Sequence, residues 1–128
     1  MLRQCTDMDY MTHLLDLEGF RGEGIGIKTC ANFKTDVGFF CVRIEHGYPF
    51  LVHFVVEKDK RSFKNSLYQF NLFTDLMIKT DNPFFIVGSP GNKPGIDKAI
   101  KYIGGKKPYQ IIEDDKVYLV PTGHRRKK

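Results

Sequence analysis

Apolar positions along the chain change period several times, and each change marks an element. Residues 1 to 5 read as a short first strand. In "DMDYMTHLLDLE" the residues Met8, Met11, Leu14 or Leu15 and Glu18 follow three-four spacing behind Asp7, a good N-cap, so a helix is expected, with Gly19 stopping it. "GIGIKTCANF" is weakly strand-like. "DVGFFCVRIEHG" places Phe40, Val42 and Ile44 on one face of a strand, and "YPFLVHFVVE" aligns Phe50, Val52, Phe54 and Val56 on a second. With Gly47 and Tyr48 as the tight turn, the two form an antiparallel hairpin.

From Ser62 the period lengthens. Phe63, Leu67, Phe70, Phe73 or Thr74, and Met77 make one helical stripe, and Leu72 and Leu76 widen it until the helix must be largely buried. "PFFIVGSP" is a short buried strand with no solvated face. "GIDKAIKYIGG" is an amphipathic helix carrying Ile96, Ala99, Ile100 and Ile103, stopped by Gly104. "PYQIIEDDKVYLVP" is a hairpin with Asp114 and Asp115 in the turn. This order predicts an α+β class, a mixed and mostly antiparallel sheet with helices on both faces. The unit from 48 to 88 should be a right-handed crossover joining parallel strands around the long helix.

Composition narrows the function classes. A chain of 128 residues that is 41% hydrophobic supports one packed domain, expected over 1–121 with a basic tail over 122–128. No run approaches the roughly 18 apolar residues of a membrane span, and the polar N-terminus is unlike a signal peptide, so a cytoplasmic protein is expected. Cys5, Cys30 and Cys41 are odd in number and widely spaced, which indicates neither a disulfide framework nor a metal site. Of the net charge of +5, four positive charges lie in the terminal "HRRKK". Such a tail is able to hold nucleic acid by counterion release, but is more often a solvated end.

The succession of pieces resembles the GNAT superfamily of acyl-coenzyme-A-dependent N-acyltransferases over nearly the whole chain, from Leu2 to Pro121. "MLRQCTDMDYMTHLLDL" is similar to the family's first strand and helix. "NKPGIDKAIKYIGGKKPYQIIEDDKVYLVP" is similar to its closing segment, in which Asn begins a helix that ends in Gly before the last hairpin. Small GNAT-like chains of this kind also resemble those encoded by bacteriophages, some of them virion components.

The resemblance implies acetyl-coenzyme A as cofactor. It would be held by Val55 and Val56 at the end of the fourth strand, by the loop Arg61-Ser62-Phe63-Lys64-Asn65-Ser66, and by Asn92 before the next helix. A helix N-terminus suits a pyrophosphate because its first amides lack acceptors and its dipole favours negative charge. Arg61 and the small Ser66 fit the family's loop pattern. Lys64 stands where the first glycine belongs, so a working anion loop and a charged helix start without ligand both remain open. "RGEGIGIK" contains a second glycine cluster, but it follows a helix and reads as a mobile loop, beside the acceptor entrance by resemblance.

Transfer of an acyl group to an amine needs a base, a donor to the thioester carbonyl and an acid for the departing thiolate. Glu57 and His53 are the candidate bases, against plainer readings as a solvated strand-end charge and a packed imidazole. The resemblance puts the general-acid Tyr at the position of Ile100; Tyr102, two residues on, is the remaining candidate. Two functions follow: an N-acyltransferase acting on an amine or a protein partner, or a catalytically inert GNAT-fold subunit, structural or binding, for example in a phage virion.

Overall fold

The computed structural model describes residues 2–17, 30–45, 47–89, 94–104, 108–112 and 115–122. Among these residues seven strands form one sheet in the order β1-β2-β3-β4-β5-β7-β6. They are β1 (Arg3–Gln4), β2 (Ala31–Lys34), β3 (Gly38–Glu45), β4 (Tyr48–Val56), β5 (Phe84–Ser89), β6 (Pro108–Ile112) and β7 (Asp115–Pro121). Among the described residues three α-helices are interleaved: α1 (Met8–Leu17), α2 (Phe63–Lys79) and α3 (Pro94–Tyr102). Every pairing is antiparallel except β4 with β5, which run parallel, as the alternation of strand and helix patterns requires.

Alternation along β3 sorts the core into two layers. Phe40 and Val42 face the α2 and α3 side, where they meet Phe70, Phe73, Met77, Ala99, Ile100 and Ile103. Phe39 and Cys41 point the other way, onto Met11, Leu14 and Leu15 of α1. The helices therefore cover both faces, as expected. Asp7 caps α1 by accepting the Tyr10 N–H at 3.1 Å. Ser62 caps α2 in the same way, its Oγ accepting the Asn65 N–H at 3.0 Å.

Strand β4 departs from the simple alternation. Cys41 pairs with His53 and Val42 with Leu51, so Val52 is an extra residue opposite no partner of its own. The bulge shifts the phase by one. Leu51 and Phe54 belong to the α2 layer while Val52 and Val55 belong to the α1 layer, in place of the single face expected for Phe50, Val52, Phe54 and Val56. Smaller corrections have similar local causes. Tyr48 pairs with Glu45 and so opens β4, leaving Gly47, at φ 83°, as the turn residue. Asp115 pairs with Ile112 and starts β7. Ile44 shares the face of Phe40 but is exposed, and Phe63 is an exposed surface residue. On β5, Phe85 and Val87 are buried while Phe84 and Ile86 are partly open.

Helix α2 carries a buried polar residue inside its apolar stripe. Gln69 is fully buried and its Nε2 donates to the carbonyls of Phe39 at 3.1 Å and Val55 at 3.2 Å. Its Oε1 accepts the Thr35 hydroxyl at 2.6 Å, and Thr35 Oγ1 accepts the amides of Val37 and Gly38 at 3.1 Å. The helix is thereby bonded to β3, β4 and the turn before β3. Close approach at this point depends on Gly38, where a Cβ would lie 1.9 Å from the Val55 carbonyl oxygen.

Phe70, fully buried, stacks on Phe54 with centroids 3.9 Å apart and planes at 16°. Phe70→Ala is expected to cost about 3–5 kcal/mol, from lost burial and the cavity left behind. Urea unfolding of parent and variant measures this; a midpoint unchanged by the substitution would show that the α2 layer does not carry the fold.

Candidate active site

The bulge in β4 opens the sheet. β5 pairs with β7 over all six of its residues, and β4 follows β3. Between β4 and β5, in contrast, only Phe50 with Ile86 and Leu51 with Val87 are paired. Beyond Leu51 the strands part and leave a small cleft of about 60 Å³, open to solvent. Its walls are Leu51 to Val55 on one side and Val87 and Gly88 on the other, closed by Phe70 of α2 and Ile96 of α3. Among these lining residues His53 is the one titratable side chain.

The segment between β4 and α2 is held mainly by its own side chains. Arg61 Nε donates to the Val56 carbonyl at 3.3 Å, Asn65 Nδ2 donates to the Lys60 carbonyl at 2.5 Å, and Lys60 Nζ donates to the Asp36 carbonyl at 3.3 Å. Phe63 and Lys64 are exposed at the first turn of α2, where backbone amides find no acceptor within the helix. Val55 brings backbone to the cleft, but its carbonyl already accepts from Gln69. Ser62 serves as the cap, and Ser66 N–H closes the first helical turn on the Ser62 carbonyl at 3.0 Å. Asn92 and the glycine cluster at 22–26 lie outside the described residues.

Glu57, one residue past β4, is clamped. Tyr10 of α1 donates its hydroxyl to Glu57 Oε2 at 2.6 Å, and Lys60 Nζ lies 3.3 Å from Oε1. The Tyr10 hydrogen bond, against the effect of burial and with help from Lys60, holds the carboxyl below its usual range. Tyr10 is in turn pushed up by burial and by that carboxylate. Its ring meets Phe39 edge-on at 6.0 Å and carries the Lys34 ammonium 4.1 Å from its centroid. Of the two candidate bases, His53 is thus the one that lines the cleft.

On α3, Ile100 is fully buried, whereas Tyr102 is 69% exposed and rests edge-on against Phe63 at 5.9 Å. α3 is fastened to β7 by the fully buried Tyr118, whose hydroxyl donates to Asp97 Oδ1 at 2.5 Å. Burial and the adjacent carboxylate push Tyr118 up to about 12. Neither this pair nor the Tyr10 clamp has a signal in local periodicity. Each joins residues far apart in sequence, and a lone polar group on a helix face looks the same whether it is clamped or solvated.

No family model and no curated protein sequence matches the chain. Its backbone, however, matches solved structures closely. The ribosomal-protein-S18-alanine N-acetyltransferase of Escherichia coli superposes with a TM-score of 0.77 at 11% identity, covering 95% of this chain and 93% of that one. The aminoglycoside 6'-N-acetyltransferase of Enterococcus faecium gives 0.73 at 12%, covering 95% and 97%. A GNAT family acetyltransferase of Bacillus cereus gives 0.68 at 17%, covering 94% and 96%. The chain has the GNAT fold. The likeness resides in element order and packing, as identities this low imply, and it agrees with the sheet order, the single parallel pair and the helix layers described above.

The Tyr10 clamp has a pH signature. Because Glu57 is held below its unfolded value, the bond stabilises the fold above the ordinary carboxylate range and is lost as pH falls through the folded pKa. Tyr10→Phe is expected to be about 1–2 kcal/mol less stable than the parent at pH 7. The gap should narrow as pH falls below the ordinary carboxylate range. Denaturant titrations at several pH values test this; a gap constant from pH 7 to pH 3 would show that the hydroxyl stabilises by some other route.

Proposed function

We propose that this chain is an N-acyltransferase that moves an acetyl group from acetyl-coenzyme A to an amine. The observation that carries the reading is the fork between β4 and β5, opened by the Val52 bulge and bearing His53 on its wall. Where two neighbouring strands part, their facing amides and carbonyls lose ladder partners. An extended chain with amide groups of its own, such as the pantetheine arm, fits between them as a peptide fits a sheet edge. The apolar walls suit its methylene portions, and the first turn of α2, with Lys64 beside it, suits its phosphates.

Acetyl-coenzyme A supplies the acetyl group as a thioester, activated toward amines. His53 is then placed to accept the proton of the attacking amine, directly or through water, a task suited to imidazole near neutrality. Amides of β4 released by the bulge are the natural donors to the acyl carbonyl. Glu57 remains the second candidate base, acting through water. A thiolate is a stable leaving group near neutral pH, so the step asks little of a protein acid. The acceptors named for the structural neighbours, a ribosomal-protein alanine and an aminoglycoside, are amines, which supports an amine acceptor here.

Acetyl-coenzyme A at a hundred times its dissociation constant should add about 2.7 kcal/mol to native stability, visible as a rise of several degrees in Tm. His53→Ala should keep that shift and lose turnover by about 10²–10⁴-fold, measured by release of free thiol. Turnover unaffected by the substitution would move the base to Glu57.

A second reading is a GNAT-fold subunit that binds without catalysing. It is favoured by the buried Ile100 at the position where the resemblance places an acid, and by Lys64 at the position of the first loop glycine. Lys64→Gly separates the two. Weaker binding of coenzyme A would show the ammonium helping to hold phosphate, and binding gained would show it obstructing. If neither parent nor variant binds at millimolar ligand, the non-catalytic reading stands.

A further inference from the structure

Helix α1 covers only part of its face of the sheet. Its buried partners there, Cys5, Phe39, Cys41 and Val55, all lie on or beside β1 to β4. Beyond Cys41 along β3 the same face carries two rows of side chains that the register aligns across four strands. Arg43 pairs with Phe50, Phe50 with Ile86 and Ile86 with Leu119. In the next row Glu45 pairs with Tyr48, whose ring lies 5.0 Å from that of Phe84, and Phe84 pairs with Pro121. Their neighbours Val42, Leu51, Phe85, Val87 and Val120 are buried in the α2 layer, so alternation turns both rows the opposite way.

Six of these eight side chains are apolar, and they are open to solvent. Tyr48 is 48% exposed and Leu119 39%, Pro121 is exposed, and Phe50, Phe84 and Ile86 are partly so. None of the six belongs to either buried cluster. Tyr48, Phe84, Ile86 and Leu119, with Tyr118, wall an apolar hollow of about 280 Å³, larger than the cleft at the fork. Contiguous apolar surface of this kind marks an interaction site. The charges of the two rows sum to zero, because Arg43 and Glu45 are bonded to each other, the Arg43 Nε donating to Glu45 Oε1 at 2.8 Å. Copies of a chain of net charge +5 repel one another, and this is a face on which they meet without that repulsion.

We propose that this face is the contact between two copies of the chain, packed sheet on sheet about a two-fold axis that runs across the strands between the two rows. Such an axis lays each row of one copy on the other row of its partner. Phe50 then meets the partner's Tyr48, Ile86 the partner's Phe84, Leu119 the partner's Pro121, and Arg43 the partner's Glu45. The pattern is self-complementary, as a two-fold contact requires: apolar on apolar, and each charge on its opposite. Sheets packed face to face interdigitate their inner side chains, so the hollows receive the most projecting ones, Tyr48 and Leu119. Eight residues a side is about a third of the 20–30 of a standard interface, so the pair is weak, with a dissociation constant on the order of 100 μM. The contact lies on the face opposite α2 and α3 and is independent of the acyl-donor reading.

The test is sedimentation equilibrium of the full chain from about 1 μM to about 1 mM, over which the mean mass is expected to rise from one chain toward two. Leu119→Glu puts a carboxylate into the apolar centre and should weaken association by about tenfold or more. Arg43→Glu sets a carboxylate against the partner's Glu45 at two places in the dimer and should weaken it as well. Arg43→Glu combined with Glu45→Arg exchanges the signs and should restore the association of the parent, since each charge again meets its opposite. These side chains are exposed or partly so, and circular dichroism checks that each variant is folded. A parent that keeps the mass of one chain up to about 1 mM overturns the proposal and leaves the face to a different protein or an apolar ligand. A dimer that Leu119→Glu leaves intact, or that the exchanged pair fails to restore, overturns it too.

Discussion

One surplus residue in β4 governs the shape of the site. Val52 lies opposite the step between Cys41 and Val42, and the strand must turn to accommodate it. Before the bulge β4 keeps company with β5; after it, β4 follows β3 alone. The turn also moves Phe54 onto the α2 layer, where it stacks on Phe70, and brings His53 to the cleft wall. Without the extra residue the parallel pairing would have no reason to end at Leu51.

A parted sheet has to be held apart. The lock is polar and buried: Gln69 reaches from α2 to the carbonyls of Phe39 and Val55, with Thr35 completing its hydrogen bonding. A fully buried amide left without such partners would cost about 1–3 kcal/mol, so the network is favourable only if complete. It is complete here because Gly38 lets backbone approach where any side chain would collide. The end of β4 is thereby tied to β3 and α2 on one side, while Tyr10 and Lys60 tie down the carboxylate of Glu57 that follows.

Element order was legible because it is written in period. The shift at Ser62 from alternate to three-four spacing announced α2, and Phe70, Phe73 and Met77 are buried as that stripe required. Parallel pairing of β4 with β5 followed from a helix intervening between them. The cleft was less legible. A Val within an alternating run reads as one more strand residue, and only the register with β3 reveals it as extra. Gln69 occupies a helix position where polar residues are ordinary, and its partners lie 14 to 34 residues away. Tyr10 and Glu57 are 47 residues apart. Such pairings are set by tertiary packing, and spacing along the chain carries no trace of them.

The fork leaves β1 to β4 and β5, β7 and β6 as two half-sheets sharing two ladder pairs. What spans the seam is largely aromatic. Phe73 of α2 meets Phe40 of one half edge-on at 5.2 Å and Phe85 of the other at 4.6 Å. A joint made this way has a different mechanical character from a continuous ladder. Hydrogen bonds are directional and fail over short displacements, whereas apolar contacts are short-ranged but tolerant of rotation. The halves are joined through a shared apolar core more than along a hydrogen-bonded edge. The contact between the halves therefore follows the hydrophobic effect, whose strength falls on cooling, whereas the ladders within each half rest on backbone hydrogen bonds.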